Sequence, residues 1–389
     1  MRKGMNKTWL LALLVLLTAA FGCQRRPLET MYRSTVRVIV KCIWDIEVDT
    51  HVEVDTDIQK PTGVTLYIFR EGKFYNSITT ANVDSVEVQL EEGSYRMYMI
   101  SQSPEEFWRM EFEDMTTFEK AATRLRENAS ASWASRKSDD DEVVVENPEI
   151  LFAGVSDEFE ITAKMTEDYQ YYYTNLTKLR TKYGTTSTTK GDTKGGTKSD
   201  EELYYEERVE YYTIRIPIHA SNIVSQLWVT IYAGNADVLK SVRSSTSGMA
   251  RTFELTQNTT DAEPAIQVIN GWKLTMDDTA KRIGHVDGII TTFGLPNGEM
   301  PSAQRDSALN VSALLIDNST VAEYVFDVGD KIQKLKPNPG YRNLYRLIFG
   351  DAENPAMDLP DVPPAGGTSS GMDATVDDWE DGETVEIPM

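Results

Sequence analysis

Histidine and cysteine are sparse in this 389-residue sequence, at three and two residues. Its three histidines, His51, His219 and His285, are the side chains able to change charge near neutral pH without help from their surroundings. No two stand at the His-x-x-x-His spacing that sets paired imidazoles on one helix face around a metal. Each therefore reads first as an ordinary surface or core histidine, with a zinc or triad role a remote second. Gly367-Thr368-Ser369-Ser370-Gly371 matches the Gly-x-Ser-x-Gly nucleophile elbow in letters only. That elbow needs a strained turn from strand to helix. Here prolines, glycines and acids surround the serine, and no strand precedes it.

Carboxylates are plentiful but unfocused. Asp139-Asp140-Asp141-Glu142, and Asp49, Glu53, Asp55 and Asp57, could offer oxygen ligands to calcium. Neither group has the glycine-centred spacing of an EF-hand, and like-charged blocks are usually solvated loops. Glycoside hydrolysis needs two facing carboxyl groups, and no pair stands out. No catalytic, cofactor-binding or metal-ligating residue emerges. No cofactor is expected, and the chain reads as a non-enzyme.

One residue does have a definite chemistry. Arg2, Lys3 and Lys7 open the chain, Trp9 to Ala20 is an unbroken run of apolar and small residues, and Gly22 and Cys23 close it. This is the layout of a secretory signal peptide, residues 1–22. The run is short of the ~20 residues of a spanning helix. Ala20-Phe21-Gly22-Cys23 resembles the bacterial lipobox, with alanine where leucine is commoner. The expected modification is lipid on Cys23. Each buried methylene of a palmitate-type chain contributes about 0.8 kcal/mol, so two or three chains hold a protein firmly. The first partner is therefore a membrane, reached through Cys23.

The other cysteine, Cys42, is in phase with Val36, Val38, Val40 and Trp44. That alternation puts it on the apolar face of a strand as a structural thiol. A single remaining thiol leaves no internal disulfide framework. The net charge is −22, and removal of the signal takes away Arg2, Lys3 and Lys7 and no acid. Such a surface repels nucleic acid, which is not expected as a partner.

These residues must be carried by strands. Period-two alternation dominates from Ser34: Val64, Leu66 and Ile68, then Val86, Val88 and Leu90, with turns at Glu71-Gly72 and Glu92-Gly93. It returns in Ile214, Ile216 and Ile218, in Leu227, Val229 and Ile231 against Trp228, Thr230 and Tyr232, and in Val311 to Val325 around a hairpin at Asp317-Asn318. Short strands with regular turns mark an all-β sandwich or barrel. One helix is expected over Met115, Phe118, Ala122 and Leu125, capped by Thr116 with Glu119. Tyr169 to Tyr183 reads as helix or strand. Residues 184–200 hold a Thr-Lys tetrapeptide repeat with nothing to bury, and 351–389 hold acids, prolines and no Lys or Arg. Both are expected to be mobile.

Several segments together resemble a known group. Cys23-Gln24-Arg25-Arg26-Pro27-Leu28 looks like the start of a mature Bacteroides lipoprotein. Ser247-Gly248-Met249-Ala250, Thr291-Thr292-Phe293-Gly294 and Phe326-Asp327-Val328-Gly329-Asp330-Lys331-Ile332 resemble segments of the fimbrial anchor and accessory lipoproteins of Bacteroidales. In the last of these, Gly329 stands where the group usually has threonine. The likeness covers roughly residues 23–335 and extends to related uncharacterised lipoproteins. It implies two tandem transthyretin-like β-sandwich domains and a place at a fimbria or in cell adhesion. It also implies other fimbrial or sandwich-domain subunits as partners. The expected organisation is a signal peptide (1–22), a lipidated linker (23–33), a first sandwich (34–155), a second sandwich (156–350) and a disordered acidic tail (351–389). The expected location is the cell outer membrane, with the face left open because Gln24, Arg25 and Arg26 replace the acids that often follow the cysteine of surface-exported members. Two rivals remain: a glycan- or protein-binding lipoprotein without a polymer partner, and a carboxylate-based hydrolase.

Overall fold

The computed structural model describes residues 34–46, 58–131, 133–134, 142–183, 198–299, 307–335 and 340–365. Its strands are β1 (Val36–Trp44), β2 (Val64–Arg70), β3 (Lys73–Thr80), β4 (Ser85–Leu90), β5 (Gly93–Ser101), β6 (Met110–Glu113), β7 (Ala122–Leu125), β8 (Val143–Val145), β9 (Phe152–Val155) and β10 (Phe159–Ile161). Helices α1 (Ala163–Tyr183) and α2 (Asp200–Tyr211) follow. Next come β11 (Ile214–Asn222), β12 (Ser225–Gly234), β13 (Leu239–Ala250), β14 (Thr252–Glu254), β15 (Thr259–Thr260), β16 (Pro264–Ile269), β17 (Lys273–Asp278) and β18 (Ile283–Thr292). A one-turn α3 (Pro296–Glu299) precedes β19 (Ala308–Leu315), β20 (Val321–Asp327), β21 (Gln333–Leu335), β22 (Leu344–Phe349) and β23 (Met357–Asp358).

The fold is all-β apart from these helices, as the alternation requires. The strands form sheets ordered β3-β2-β5-β9-β11-β1-β4 with β10 beside β5, β17-β18-β12-β22-β21 with β23 beside β12, β20-β19-β13-β16-β8, and β15-β14-β7-β6. The chain divides into two compact units. One takes the described residues of Met1–Val40, Glu87–Tyr95 and Glu158–Ile216, and the other those of Lys41–Val86, Arg96–Asp157 and Pro217–Met389. β9 pairs with β11 and β8 with β16, so strands from either side of residue 155 share sheets.

In the larger unit, one core lies between two sheets. Leu227, Val229 and Ile231 of β12 meet Leu309, Val311, Ala313 and Leu315 of β19, which makes this region a sandwich. β12 alternates buried and half-buried along its length, so Gln226, Trp228, Thr230 and Tyr232 lie on the opposite face. A second core gathers Tyr67, Phe69, Tyr98, Phe118, Phe253 and Phe293. Two turns are built as the sequence suggests. Glu71 and Gly72 have φ of 52° and 74°, the left-handed pair of a two-residue hairpin. Asn318 has φ 61°, and the Asp317 carboxylate accepts from the Thr320 hydroxyl at 2.6 Å and from the backbone N–H of Thr320 and Ser319. These bonds, the Thr320 hydroxyl first, hold that carboxyl well below the usual range.

In the smaller unit, the helical reading of the tyrosine repeat prevails. α1 carries Tyr169 and Leu176 to its buried side. α2 was not expected from the sequence, because Tyr204 and Tyr205 favour strands as readily as helices. Ser199 caps it by accepting from the Glu202 N–H at 3.1 Å, and Asp200, Glu201 and Glu202 occupy the first turn, where carboxylates suit the helix dipole. The repeat at 184–200 therefore ends in a cap; residues 184–197 lie outside the described residues.

Two expectations are corrected. The helix over Met115–Leu125 is a single 3-10 turn, Phe118–Lys120, with no side-chain cap at Thr117, followed by β7. Its apolar residues serve two sheet partners instead, since β7 pairs with β6 and with β14. The tail does not begin at Asp351. β23 runs parallel to β12, Met357 and Leu359 are buried, and the Ala365 N–H donates to the Ile316 carbonyl at 3.1 Å. Met357 and Leu359, with Ala356 and Val362 packed beside them, dock this polar stretch on the core, and Asn235 and Tyr324 donate to its backbone carbonyls. Residues 366–389 lie outside the described residues.

Candidate functional site

Of the residues that the sequence offered for chemistry, only Cys42, Glu142, His219 and His285 fall among the described residues. Cys23, His51, Asp49, Glu53, Asp55, Asp57, Asp139 to Asp141 and the Gly367–Gly371 segment lie outside the described residues. Glu142 accepts the Gly248 N–H at 3.1 Å. His219 is exposed on β11. His285 lies between two carboxylates, Asp277 at 2.8 Å and Asp287 at 3.3 Å. Among the described residues no group of three or more His, Cys, Asp or Glu could hold a metal. Cys42 is 7% exposed. Burial first, then Asp84, pushes its thiol up to about 11, far from a reactive thiolate.

The segments that carried the resemblance turn out to be structural joints. Gly248, at φ 74°, sits where the β13–β16 register shifts between Thr246 and Met249, a bulge position that favours glycine. A Cβ there would lie 2.7 Å from the Ser307 Cβ. Ser247 Oγ accepts the Ala308 N–H at 2.9 Å, and the Val328 N–H donates to the Ser307 carbonyl. The Ala250 N–H donates to the Gly294 carbonyl at 2.8 Å. Parts of all three segments thus meet where β13, the residues after β18 and the residues after β20 come together.

Two concave surfaces are formed by described residues. In the smaller unit, a cleft of about 360 Å³ is lined by Arg37, Glu87, Tyr169, Arg180, Glu206 and Glu210 among others. Its cations are all engaged. Arg37 pairs with Glu87 at 2.6 Å and approaches Glu210 at 4.0 Å, while Arg180 pairs with Glu202 at 3.2 Å and with Glu206. Lys198 holds Glu206 at 2.7 Å. Lys198 first, and then Arg180, keeps the Glu206 carboxyl low.

In the larger unit, a groove of about 750 Å³ opens over the outer face of β17, β18, β12, β22 and β21. Registers place Trp228 beside Ile289 on one side and Arg346 on the other, and Thr230 beside Asp287, which itself neighbours Lys273. Ile289 is 51% exposed. The indole N–H of Trp228 donates to Gln226 Oε1 at 3.2 Å, and the Thr230 hydroxyl to Asp287 Oδ1 at 2.6 Å. Among the described residues neither Lys273 nor Arg346 has an ion-pair partner. The sequence reading placed Trp228 and Tyr232 on the outward phase of β12 without drawing on them. Two aromatic rings where a solvated strand would carry polar residues were the available signal.

The sheet edges differ as well. β17 is an edge with Lys273, Asp277 and Asp278 and a register shift near Met276. β20 pairs with β19 in unbroken register, and among the described residues no strand lies on its other side. It exposes Val321 and Val325, the latter 67% exposed, alternating with Glu323 and Asp327. Charges and bulges blunt an edge against pairing; both edges carry charge, and what sets β20 apart is its unbroken register and its exposed valines.

The fold thus defines an all-β sandwich protein. The family described as a domain of unknown function, DUF5119, matches residues 22–270, and the chain belongs to it. A comparison with curated proteins finds no match. Among solved structures, a candidate adhesin from Bacteroides ovatus is 15% identical at TM-score 0.47, covering 88% of this chain and 99% of that one. The fimbrial anchor protein Mfa2 from Porphyromonas gingivalis is 12% identical at TM-score 0.43, covering 81% and 90%. A fimbrilin from the same organism is 12% identical at TM-score 0.37, covering 84% and 94%. At these scores the likenesses carry no inference about this chain.

Proposed function

We propose that this protein is a non-enzymatic, lipid-anchored envelope protein of the fimbrial or adhesion type, an anchor or accessory subunit. Cys23 carries the lipid and the outer membrane is the site of anchorage. The partner is another sandwich-domain subunit, joined by strand addition. The observation that supports this most is the edge of β20. It offers a partner strand a regular backbone ladder, with Val321 and Val325 as apolar neighbours for alternate side chains. The resemblance of Ser247–Ala250 and Phe326–Ile332 to fimbrial anchor segments supports the same reading.

The test is in-cell cross-linking followed by mass spectrometry. The native chain is expected to recover a second sandwich-domain subunit, and Val325→Lys to lose it, because a charge on an edge strand opposes pairing. Unchanged recovery by that variant would remove β20 as the joint. Cys23→Ser is expected to leave the membrane fraction, and its retention there would refute the anchor.

A further inference from the structure

We infer that the groove over Trp228 and Ile289 binds a saccharide carrying a carboxylate group. This goes beyond the assembly role and does not depend on it.

The groove's charge is the first ground. In a chain of net charge −22, acids outnumber bases, and the arginines of the other concave surface are both held by glutamates. Among the described residues Lys273 and Arg346 have no such partner, although both line the groove. Asp287, the one acid there, is turned to other work: it accepts from Thr230 at 2.6 Å and lies 3.3 Å from His285 Nε2. Two cations against one acid leave the groove with an excess positive charge above an apolar floor, which favours an anion, and a guanidinium can grip a carboxylate with two parallel hydrogen bonds.

The floor is the second ground. Trp228 and Ile289 are cross-strand neighbours, and Leu335 adds an apolar wall. The π face of an indole is electronegative, so it attracts the polarised C–H groups of a pyranose ring. Asn270 and the lone pairs of the Thr230 hydroxyl supply donors and acceptors for ring hydroxyls. Across the order β17-β18-β12-β22, Lys273 and Arg346 stand three strand spacings apart and two residues out of level, about 16 Å at the backbone. That width takes one or two sugar rings once the two side chains lean inward.

The third ground separates a saccharide from a peptide. β18, β12 and β22 are each paired on both sides, so their main-chain groups are used. An extended peptide laid in the groove would find no backbone ladder to join. Recognition must come from side chains, which suits a ligand made of hydroxyls and a carboxylate.

The experiment uses the full chain with Cys23→Ser, presented to an array of neutral and carboxylated oligosaccharides, with a peptide bearing a free C-terminal carboxylate as competitor. Saturable binding confined to carboxylated sugars and weakened by salt is expected. Trp228→Ala and, separately, Arg346→Gln should each lower affinity at least about tenfold. Trp228→Phe should recover part of the loss, and an unchanged melting temperature for Arg346→Gln separates lost contact from lost fold. Absence of binding to every carboxylated sugar, equal binding to neutral ones, equal competition by the peptide, or indifference to Arg346→Gln would each overturn the inference.

Discussion

The cleft of the smaller unit and the groove of the larger unit use similar residues to different ends. Both set arginine near carboxylates and aromatic rings. In the cleft, each arginine meets a glutamate of another element: Arg37 of β1 meets Glu87 of β4, and Arg180 of α1 meets Glu202 and Glu206 of α2. Those charges fasten two helices and two strands to one another. In the groove, Lys273 and Arg346 lie on a sheet already held by its ladders and by the core beneath Leu227, Val229 and Ile231. Among the described residues neither makes an ion pair. Paired charges inside an architecture act as joints, and unpaired ones on a finished surface are available to a ligand.

Four variants can break or sharpen that contrast. The largest effect is expected at Gly288, behind the groove, where a Cβ would lie 2.7 Å from Ile269 Cγ2 and 3.0 Å from the Trp272 ring. Gly288→Val should lower stability by about 1–3 kcal/mol through overpacking, read by denaturant unfolding. A smaller change would mean that Trp272 can move aside. Next is Arg180→Ala, which leaves the Glu202 carboxylate, 7% exposed, without its cation. Breaking a buried pair costs several kcal/mol, but Arg180 is itself 43% exposed, so the expected loss is about 1 kcal/mol.

The third is a pH dependence. Lys198 and Arg180 lower the Glu206 carboxyl in the folded state from 4.5. The unfolded chain then binds the proton more readily, so this contribution is complete above about pH 4.5 and fades as the pH falls through the folded value. Both long helices of the described residues belong to this unit, so circular dichroism at 222 nm reports it selectively. The helical signal should weaken on acidification below about pH 4.5, and Glu206→Gln should flatten that dependence. An identical acid profile in the variant would show that another group governs it. The smallest effect on stability is expected from Arg346→Ala. An exposed, unpaired side chain should change stability by less than about 0.5 kcal/mol. A larger loss in thermal unfolding would make Arg346 a joint after all and erase the contrast.

By itself, the sequence determined what depends on neighbours along the chain. Alternation in β1, β12 and β19 set which residues face a core, because successive side chains of a strand point to opposite sides. Local chemistry marked the turns at Glu71-Gly72 and Asp317-Asn318, where left-handed backbone and short polar side chains are needed. The order of residues could not say which face of β12 would remain open, nor that Lys273, Asp287, Trp228 and Arg346 would line one groove, since they come from four strands between residues 228 and 346. It misread Met115 to Leu125, whose helical spacing was overruled by pairing on both sides of β7, and it ended the fold too soon, before Met357 found its place beside β12. Only the tertiary structure decided which cations were spent in joints and which were left over. Charge pairing is a property of distance in space, and the distance along the chain from Arg346 to Lys273 carries no record of it.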